Sequence, residues 1–146
     1  MTINELQDDL IEKFSKAGNS YADKYKLIIQ MGKALQEMDV AFRTDENRIW
    51  SCQATVWVHS IERDGKLFIQ ADSDAAITKG LIALILYVLS DQSKQDIANA
   101  NLYFIEKINL KEYLSPNKSN GILAMLKDIQ ILTAEGKLTG TRSCSI

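Results

Sequence analysis

Residues 54–71 read ATVWVHSIERDGKLFIQA, two runs rich in β-branched and aromatic residues on either side of Asp64 and Gly65. An Asp-Gly pair between two such runs is a strong signal for a two-residue turn. The stretch therefore predicts a β-hairpin whose strands cover residues 54–62 and 66–71.

The turn also fixes the register of the hairpin, because Arg63 then faces Lys66 and the remaining pairs follow by counting. One face of the hairpin is uniformly apolar and is expected to lie on the core: Val56, Val58, Leu67, Ile69 and Ala71. The other face is mixed and is expected to be half covered: Trp57, His59, Ile61, Phe68 and Gln70.

Two amphipathic helices are predicted before the hairpin. Thr2 and Glu5 form a capping-box pattern, and Ser20 with Asp23 repeats it at the second helix. The apolar stripe of the first helix is Leu6, Leu10, Ile11 and Phe14, and that of the second is Tyr25, Ile28, Ile29, Gly32 and Leu35. Residues 36–51 show no clean period and are predicted to form a surface loop.

A third helix is predicted after the hairpin. Residues 72–74, Asp-Ser-Asp, are interpreted as its start, with Ser73 as the cap and Asp74 in the first turn, where a carboxylate suits the helix dipole. The helix runs to about Ser90 and is apolar almost all round in its second half. It is therefore expected to be the central buried helix.

Shorter helical pieces are predicted to complete the fold. Ser93 begins a short helix, residues 103–108 form another piece, and Ser115 with Pro116 opens a last helix that ends near Glu135. The inward side chains of that helix are predicted to be Ile122, Leu123, Leu126, Ile129 and Leu132. The class is α+β, with helices packed on a small antiparallel sheet. A single domain is expected over 1–136, with a flexible tail over 137–146.

Composition excludes several classes of function. The chain has 146 residues, 46% hydrophobic and 25% charged, with a net charge of -2. A nucleic-acid-binding protein would need a basic patch or stripe. The longest apolar run, Leu81–Leu89, is far shorter than the ~20 residues that span a bilayer. The start of the chain lacks a basic segment followed by an apolar one. We therefore expect a cytoplasmic protein with reduced thiols and neither membrane nor nucleic acid as a partner.

Cys52 is the candidate for chemistry, because it is the only cysteine in the body of the chain and precedes the first predicted strand. The only histidine, His59, lies seven positions further, about 23 Å away at roughly 3.3 Å per residue, so a Cys-His dyad is not expected. No Cys or His pair has metal-ligand spacing, and the glycines are too scattered for a phosphate loop. Asp72 and Asp74 could form an acid–base pair on spacing, but the helix start explains them better. Cys52 itself could be a reactive thiol or a buried core thiol.

Three motifs resemble those of the SufE family of cysteine-desulfuration proteins. Residues 51–57, SCQATVW, resemble its Gly-Cys-Gln-Ser-x-Val-Trp motif. Residues 72–83, DSDAAITKGLIA, resemble its helix-opening motif, and residues 114–121, LSPNKSNG, its third motif. Order and spacing agree from about residue 5 to about residue 132.

The resemblance implies a fold and a function. The fold would be that of SufE and NifU/IscU-type proteins. Cys52 would take persulfide sulfur from a cysteine desulfurase of the SufS or CsdA type, stimulate that enzyme, and pass the sulfur to a SufB-type iron–sulfur scaffold complex. Gln53, Asp74 and Lys118 would position the loop or meet the partner. The chain would hold no metal or cofactor, pyridoxal phosphate (PLP) belonging to the desulfurase, and would not act as a stand-alone enzyme.

The chain departs from the family pattern at four positions. Ser51 replaces a glycine, which matters if the backbone there needs positive φ. Ala54 replaces a serine, and Ala71 a glycine. Lys118 replaces an arginine, which keeps the charge and loses the planar fork. Cys144 has no counterpart in the motifs and is interpreted as an incidental thiol of the tail.

The residues alone leave two other functions open. One is an iron–sulfur scaffold of related fold, although one core cysteine supplies few cluster ligands. The other is a regulatory binding module in which Cys52 is structural.

Overall fold

The predicted elements occur in the predicted order, with one strand added, in the structure, a computed structural model that describes residues 1–49, 54–113 and 116–135. They are α1 (Ile3–Lys16), α2 (Tyr21–Ala34), β1 (Arg48–Ile49), β2 (Val56–Arg63), β3 (Lys66–Ser73), α3 (Ala76–Leu89), α4 (Lys94–Asn99), α5 (Phe104–Lys107) and α6 (Pro116–Glu135). Short 3₁₀ turns cover Val40–Phe42, Asp45–Asn47 and Leu110–Tyr113. The fold is α+β, as predicted, with helices packed on a small antiparallel sheet.

The hairpin of β2 and β3 has the predicted turn and register. Arg63 pairs with Lys66, and Asp64 and Gly65 both have positive φ, 53° and 77°, as a two-residue turn of type I′ requires. All five side chains predicted on the core face are buried. On the other face Ile61 is exposed, and Trp57, His59, Phe68 and Gln70 are half-buried. Both strands extend slightly beyond the predicted ends, to Arg63 and Ser73.

A third strand, β1, lies inside the segment that was predicted to be a surface loop. Arg48 pairs with Trp57 and Ile49 with Val56, so the sheet order is β1-β2-β3. The loop prediction was wrong here because a two-residue strand is too short to show a period of two. Its pairing is set by contact with β2 and not by its own residues.

Helix α3 is the central buried helix, as predicted, with ten of its residues buried. Helix α2 crosses it at Gly32 and Gly80, where the two backbones approach closely. The capping box of Thr2 and Glu5 is present at the start of α1. The prediction for Tyr25 was wrong: this side chain is exposed, because α2 reaches the core through its C-terminal half, where Ile28 and Gly32 are buried.

The start of α3 also differs from the prediction. Ser73 belongs to β3, and the helix begins at Ala76 after Ala75, which makes no side-chain cap. The Ser73 hydroxyl instead accepts the Ala75 N–H at 3.2 Å. Tertiary contacts of Asp72 and Asp74 outweigh the local capping preference and hold residues 72–74 in strand and bend.

Buried amides fasten the C-terminal helices to the body. Gln7 donates to the Asn101 carbonyl at 3.0 Å and accepts the Phe104 N–H at 3.1 Å. Gln130 on α6 donates to the carbonyls of Ile97 and Ala100. These bonds satisfy backbone groups that the short helices α4 and α5 leave without partners.

Helix α6 turns the expected residues inward, with one addition. Leu126, Ile129 and Leu132 are buried and Leu123 is half-buried, while Met125 is a buried residue that the stripe did not include. The Ile122 side chain and the tail over 137–146 lie outside the described residues. No helix within residues 1–49, 54–113 and 116–135 is long and apolar enough to cross a membrane.

Candidate functional site

Cys52 and Gln53 lie outside the described residues, but the structure describes the two stems of the loop that carries them. The chain leaves β1 at Ile49 and enters β2 at Val56, and these two residues pair with each other. Paired residues of antiparallel strands have Cα atoms about 4.5–5.5 Å apart. The connection from 50 to 55 therefore starts and ends at neighbouring points at one end of the sheet.

Asp74 is bonded to the residue that closes this loop. Its Oδ1 accepts the Thr55 N–H at 3.1 Å, and its own N–H donates to the Thr55 carbonyl at 3.4 Å. Asp74 thus continues the β2–β3 ladder for one residue beyond the end of β3 and ties the returning stem of the loop to the start of α3. This contact explains why Asp74 does not lie in the first turn of the helix, as the sequence predicted.

A row of side chains crosses the sheet next to the base of the loop. Arg48, Trp57 and Asp72 are paired across β1, β2 and β3, so their side chains lie on the same face. The next row, which ends the sheet, is Ile49 and Val56 with Ser73. The row that contains Asp72 is thus one residue, about 3.3 Å, from the sheet end where the loop begins.

Asp72 is a buried carboxylate between two cations. Its side chain is 4% exposed; Arg43 Nη2 lies 2.6 Å from Oδ2, and Lys79 Nζ lies 3.3 Å from Oδ1. Oδ1 also accepts the Ser73 N–H at 2.8 Å. Lys79 on α3 ends on this carboxylate and is 26% exposed. The arrangement excludes Asp72 from acid–base work at neutral pH, because both oxygens are committed to donors.

The pKa of Asp72 is lower than that of an ordinary aspartate. Burial by itself would raise the pKa. The Ser73 N–H, the Lys79 hydrogen bond and the charges of Lys79 and Arg43 together outweigh burial and lower it. Asp72 is therefore a fixed negative charge that holds two cations beside the loop.

This depressed pKa predicts a specific dependence of stability on pH. Unfolded Asp72, with a pKa near 3.8, takes up protons before folded Asp72 does, so its stabilising effect is complete above about pH 5 and is lost as pH falls through the folded pKa. Asp72→Asn should lower the free energy of unfolding by about 3 kcal/mol at neutral pH, because Arg43 and Lys79 lose their counter-ion.

The difference in stability between wild type and Asp72→Asn should narrow as the pH falls below about 4, because the unfolded wild-type carboxylate then takes up a proton that the folded one does not. Urea unfolding of both proteins at a series of pH values measures this difference. A difference that is independent of pH would contradict the ion pairing described above.

The segment over 39–47 covers the sheet face beside this row. Phe42 stacks on His59 with ring centroids 4.2 Å apart and planes 14° apart. The Arg43 guanidinium carbon lies 5.7 Å from the centre of the Trp57 ring. His59 is therefore placed in an aromatic stack on the outer face of the sheet.

The remaining predicted position is Lys118, which lies in the first turn of α6, a helix that contacts β1. Its side chain lies outside the described residues.

The sequence gives no local pattern that marks Arg43 or Arg48, since each is one charge in an aperiodic segment. Lys79 carried a signal, a lone charge in an apolar helix. Within the described residues, no group of three or more His, Cys, Asp or Glu side chains is placed to hold a metal ion.

Comparison with known proteins agrees with the fold. The solution structure of a hypothetical protein from Thermus thermophilus is similar, with a TM-score of 0.72 and 17% sequence identity. The similarity covers 91% of this chain and 96% of that one, and at this identity it concerns the fold. Residues 8–133 match the SufE family, described as an Fe-S metabolism associated domain. This match spans most of the 146 residues, so the chain belongs to the SufE family and is associated with iron–sulfur metabolism.

Proposed function

We propose that the chain accepts sulfane sulfur as a persulfide on Cys52. The donor is a PLP-dependent cysteine desulfurase of the SufS type, and the final acceptor is an iron–sulfur scaffold complex of the SufB type. One observation carries the proposal: Cys52 is the only cysteine within the family match over 8–133, and it belongs to the loop that joins the paired residues Ile49 and Val56.

The transfer is a sulfur exchange without an external oxidant. The Cys52 thiolate attacks the terminal sulfur of the desulfurase persulfide, a new S–S bond forms on Cys52 Sγ, and the desulfurase S–S bond breaks. The desulfurase cysteine leaves as a thiolate, as in thiol–disulfide exchange. The same step, repeated with a nucleophile on the scaffold complex, returns Cys52 to a thiolate.

The surroundings of the loop support this chemistry. Thiolate character is favoured next to Lys and Arg, and three cationic residues are found beside the base of the loop: Arg43 and Lys79 on Asp72, and Arg48 in the same row of the sheet. The stems are fastened by strand pairing and by Asp74, which supports its proposed role in positioning the loop. A short loop on fixed stems suits delivery of its thiol into the site of another protein. Gln53 and Lys118 are proposed to contact the partner or the loop.

Desulfurase turnover tests the proposal. With cysteine as substrate and a thiol reductant to unload Cys52, adding the chain to a SufS-type desulfurase should raise the rate of alanine formation several-fold and saturably. Cys144→Ser is the matched control, since it removes the other cysteine and should stimulate as the wild type does. Alanine formation that stays at the desulfurase's own rate across saturating concentrations would contradict the proposal.

A further inference from the structure

We propose that Arg43, held by Asp72, is a positioning residue for sulfur transfer: its guanidinium fixes the stem that leads into the Cys52 loop. The inference rests on the proposed function for its consequence, the rate of sulfur transfer. Its structural part, the fixing of the stem, can be measured without a partner.

Arg43 sits in a segment that joins two elements and whose hydrogen bonds, within the part of the chain that the structure describes, are mostly local. The segment over 39–47 joins α2 to β1 and contains two 3₁₀ turns. Its internal bonds are local: the Arg43 N–H donates to the Val40 carbonyl at 3.0 Å, and the Asn47 side-chain amide donates to the Phe42 carbonyl at 2.8 Å. Such bonds shape the turns but do not fix the segment on the sheet.

Two neighbouring side chains of this segment reach the sheet. Phe42 stacks on His59, and Arg43 lies over Trp57 and reaches Asp72 on the strand beyond. The bond from Arg43 to Asp72 is the stronger anchor, because it is charge-assisted, short at 2.6 Å, and made to a carboxylate that is 4% exposed. It joins the segment over 39–47, which leads through β1 into the loop, to β3.

Asp72 and Asp74 therefore hold the two stems of the same loop. Asp74 fastens Thr55, where the chain returns from the loop, and Asp72 fastens Arg43, five residues before β1 begins at Arg48. Lys79 braces Asp72 from α3. Both stems are thus fastened at the junction of β3 with the central buried helix.

We expect a guanidinium group to serve this role better than a lone positive charge. Arg43 Nη2 contacts the buried Asp72 and also lies 3.6 Å from Glu37, whose side chain is 83% exposed. The Arg43 Nε is buried and has no hydrogen-bond acceptor within residues 1–49, 54–113 and 116–135. A planar guanidinium can lie over the Trp57 ring while its Nη2 contacts Asp72, whereas an ammonium is a point charge on a flexible stem.

Three variants test the inference. Arg43→Gln removes the charge and the fork, Arg43→Lys keeps the charge, and Glu37→Gln removes only the exposed partner and is the matched control. Transfer of sulfur from the desulfurase to the chain is measured as a function of chain concentration. Amide hydrogen exchange over residues 44–57 is measured in each isolated protein.

Arg43→Gln should lower the transfer rate at saturation by about tenfold or more, because a misplaced nucleophile loses reactive geometry. Its half-saturating concentration should stay within about twofold of wild type, because docking is not the step affected. Exchange over 44–57, including the Thr55 amide, should accelerate while α1 keeps its protection. The transfer rate and the exchange of Arg43→Lys should fall between those of Arg43→Gln and wild type. Both quantities should match wild type in Glu37→Gln.

A folded Arg43→Gln with wild-type transfer rate and wild-type exchange over 44–57 would overturn the inference. If Arg43→Gln does not fold, Arg43→Lys decides, and a wild-type rate for it would also overturn the inference. If wild type itself takes no sulfur, the proposed function fails, and the exchange measurement still decides whether Arg43 fixes the stem.

Discussion

Cys52→Ser is expected to abolish stimulation of the desulfurase and leave the fold intact. Serine has nearly the shape of cysteine, but its hydroxyl is not ionised at neutral pH and cannot hold sulfane sulfur. Alanine formation should fall to the desulfurase's own rate. The free energy of unfolding should stay within about 1 kcal/mol of wild type, because the substitution changes the side-chain volume very little.

The same position distinguishes the two other functions considered for this chain. If Cys52 were structural in a regulatory module, Cys52→Ser would lower the free energy of unfolding while stimulation survived at matched concentrations of folded protein. If the chain were an iron–sulfur scaffold, reconstitution would give visible absorption that Cys52→Ala removes. Neither behaviour is expected from a persulfide carrier.

Gly80→Ala is expected to be the most destabilising single substitution in the crossing of α2 and α3. A Cβ at Gly80 would lie 2.3 Å from the Ile28 carbonyl oxygen and 2.6 Å from its Cγ2 atom. The carbonyl is backbone in the middle of α2 and cannot turn away as a flexible side chain could. Overpacking costs about 1–3 kcal/mol where neighbours can yield, so here the loss should reach or exceed about 3 kcal/mol.

Thermal or urea unfolding measures this loss, and Gly65→Asn is the control. A Cβ at Gly65 would meet no heavy atom within 4 Å, and the φ of 77° is a conformation that asparagine tolerates in a two-residue turn. The control should therefore stay within about 1 kcal/mol of wild type. A small effect of Gly80→Ala would mean that α2 and α3 can separate at the crossing without loss of packing.

The parts of the fold that follow from local patterns could be predicted from the sequence. The Asp64-Gly65 pair determines a turn, the turn determines the register, and the register assigns every hairpin side chain to a face. The apolarity of α3 predicts its central place in the same way, because such a helix is stable only when it is surrounded.

The wrong predictions concern residues whose conformation is set by contacts with residues distant in the sequence. Strand β1 is two residues long and exists because β2 offers it a partner. Asp72 and Asp74 have the composition of a helix start. In the structure, however, Asp72 forms a buried ion pair with Arg43, and Asp74 is hydrogen-bonded to the backbone of Thr55. Local preferences for caps are worth about 1 kcal/mol, and the cost of burying a charge without its counter-ion exceeds that.

The same difference between local patterns and distant contacts applies to the residues of the candidate site. Cys52 could be chosen from the sequence because it is the only cysteine in the body of the chain. Arg43 could not, because its partner is 29 positions away and neither residue has a pattern that points to the other. The pairing of Ile49 with Val56 at the base of the loop and the bond from Arg43 to Asp72 are known only from the structure.

The position of the transferred sulfur decides whether Cys52 is the carrier. The chain is incubated with a SufS-type desulfurase and cysteine, separated without reductant, and subjected to intact-mass and peptide mass spectrometry. We expect one added sulfur atom on the peptide that contains Cys52, lost on treatment with reductant, and none on the peptide that contains Cys144. Sulfur that is absent from Cys52 while the desulfurase is active would contradict the proposed role of this thiol.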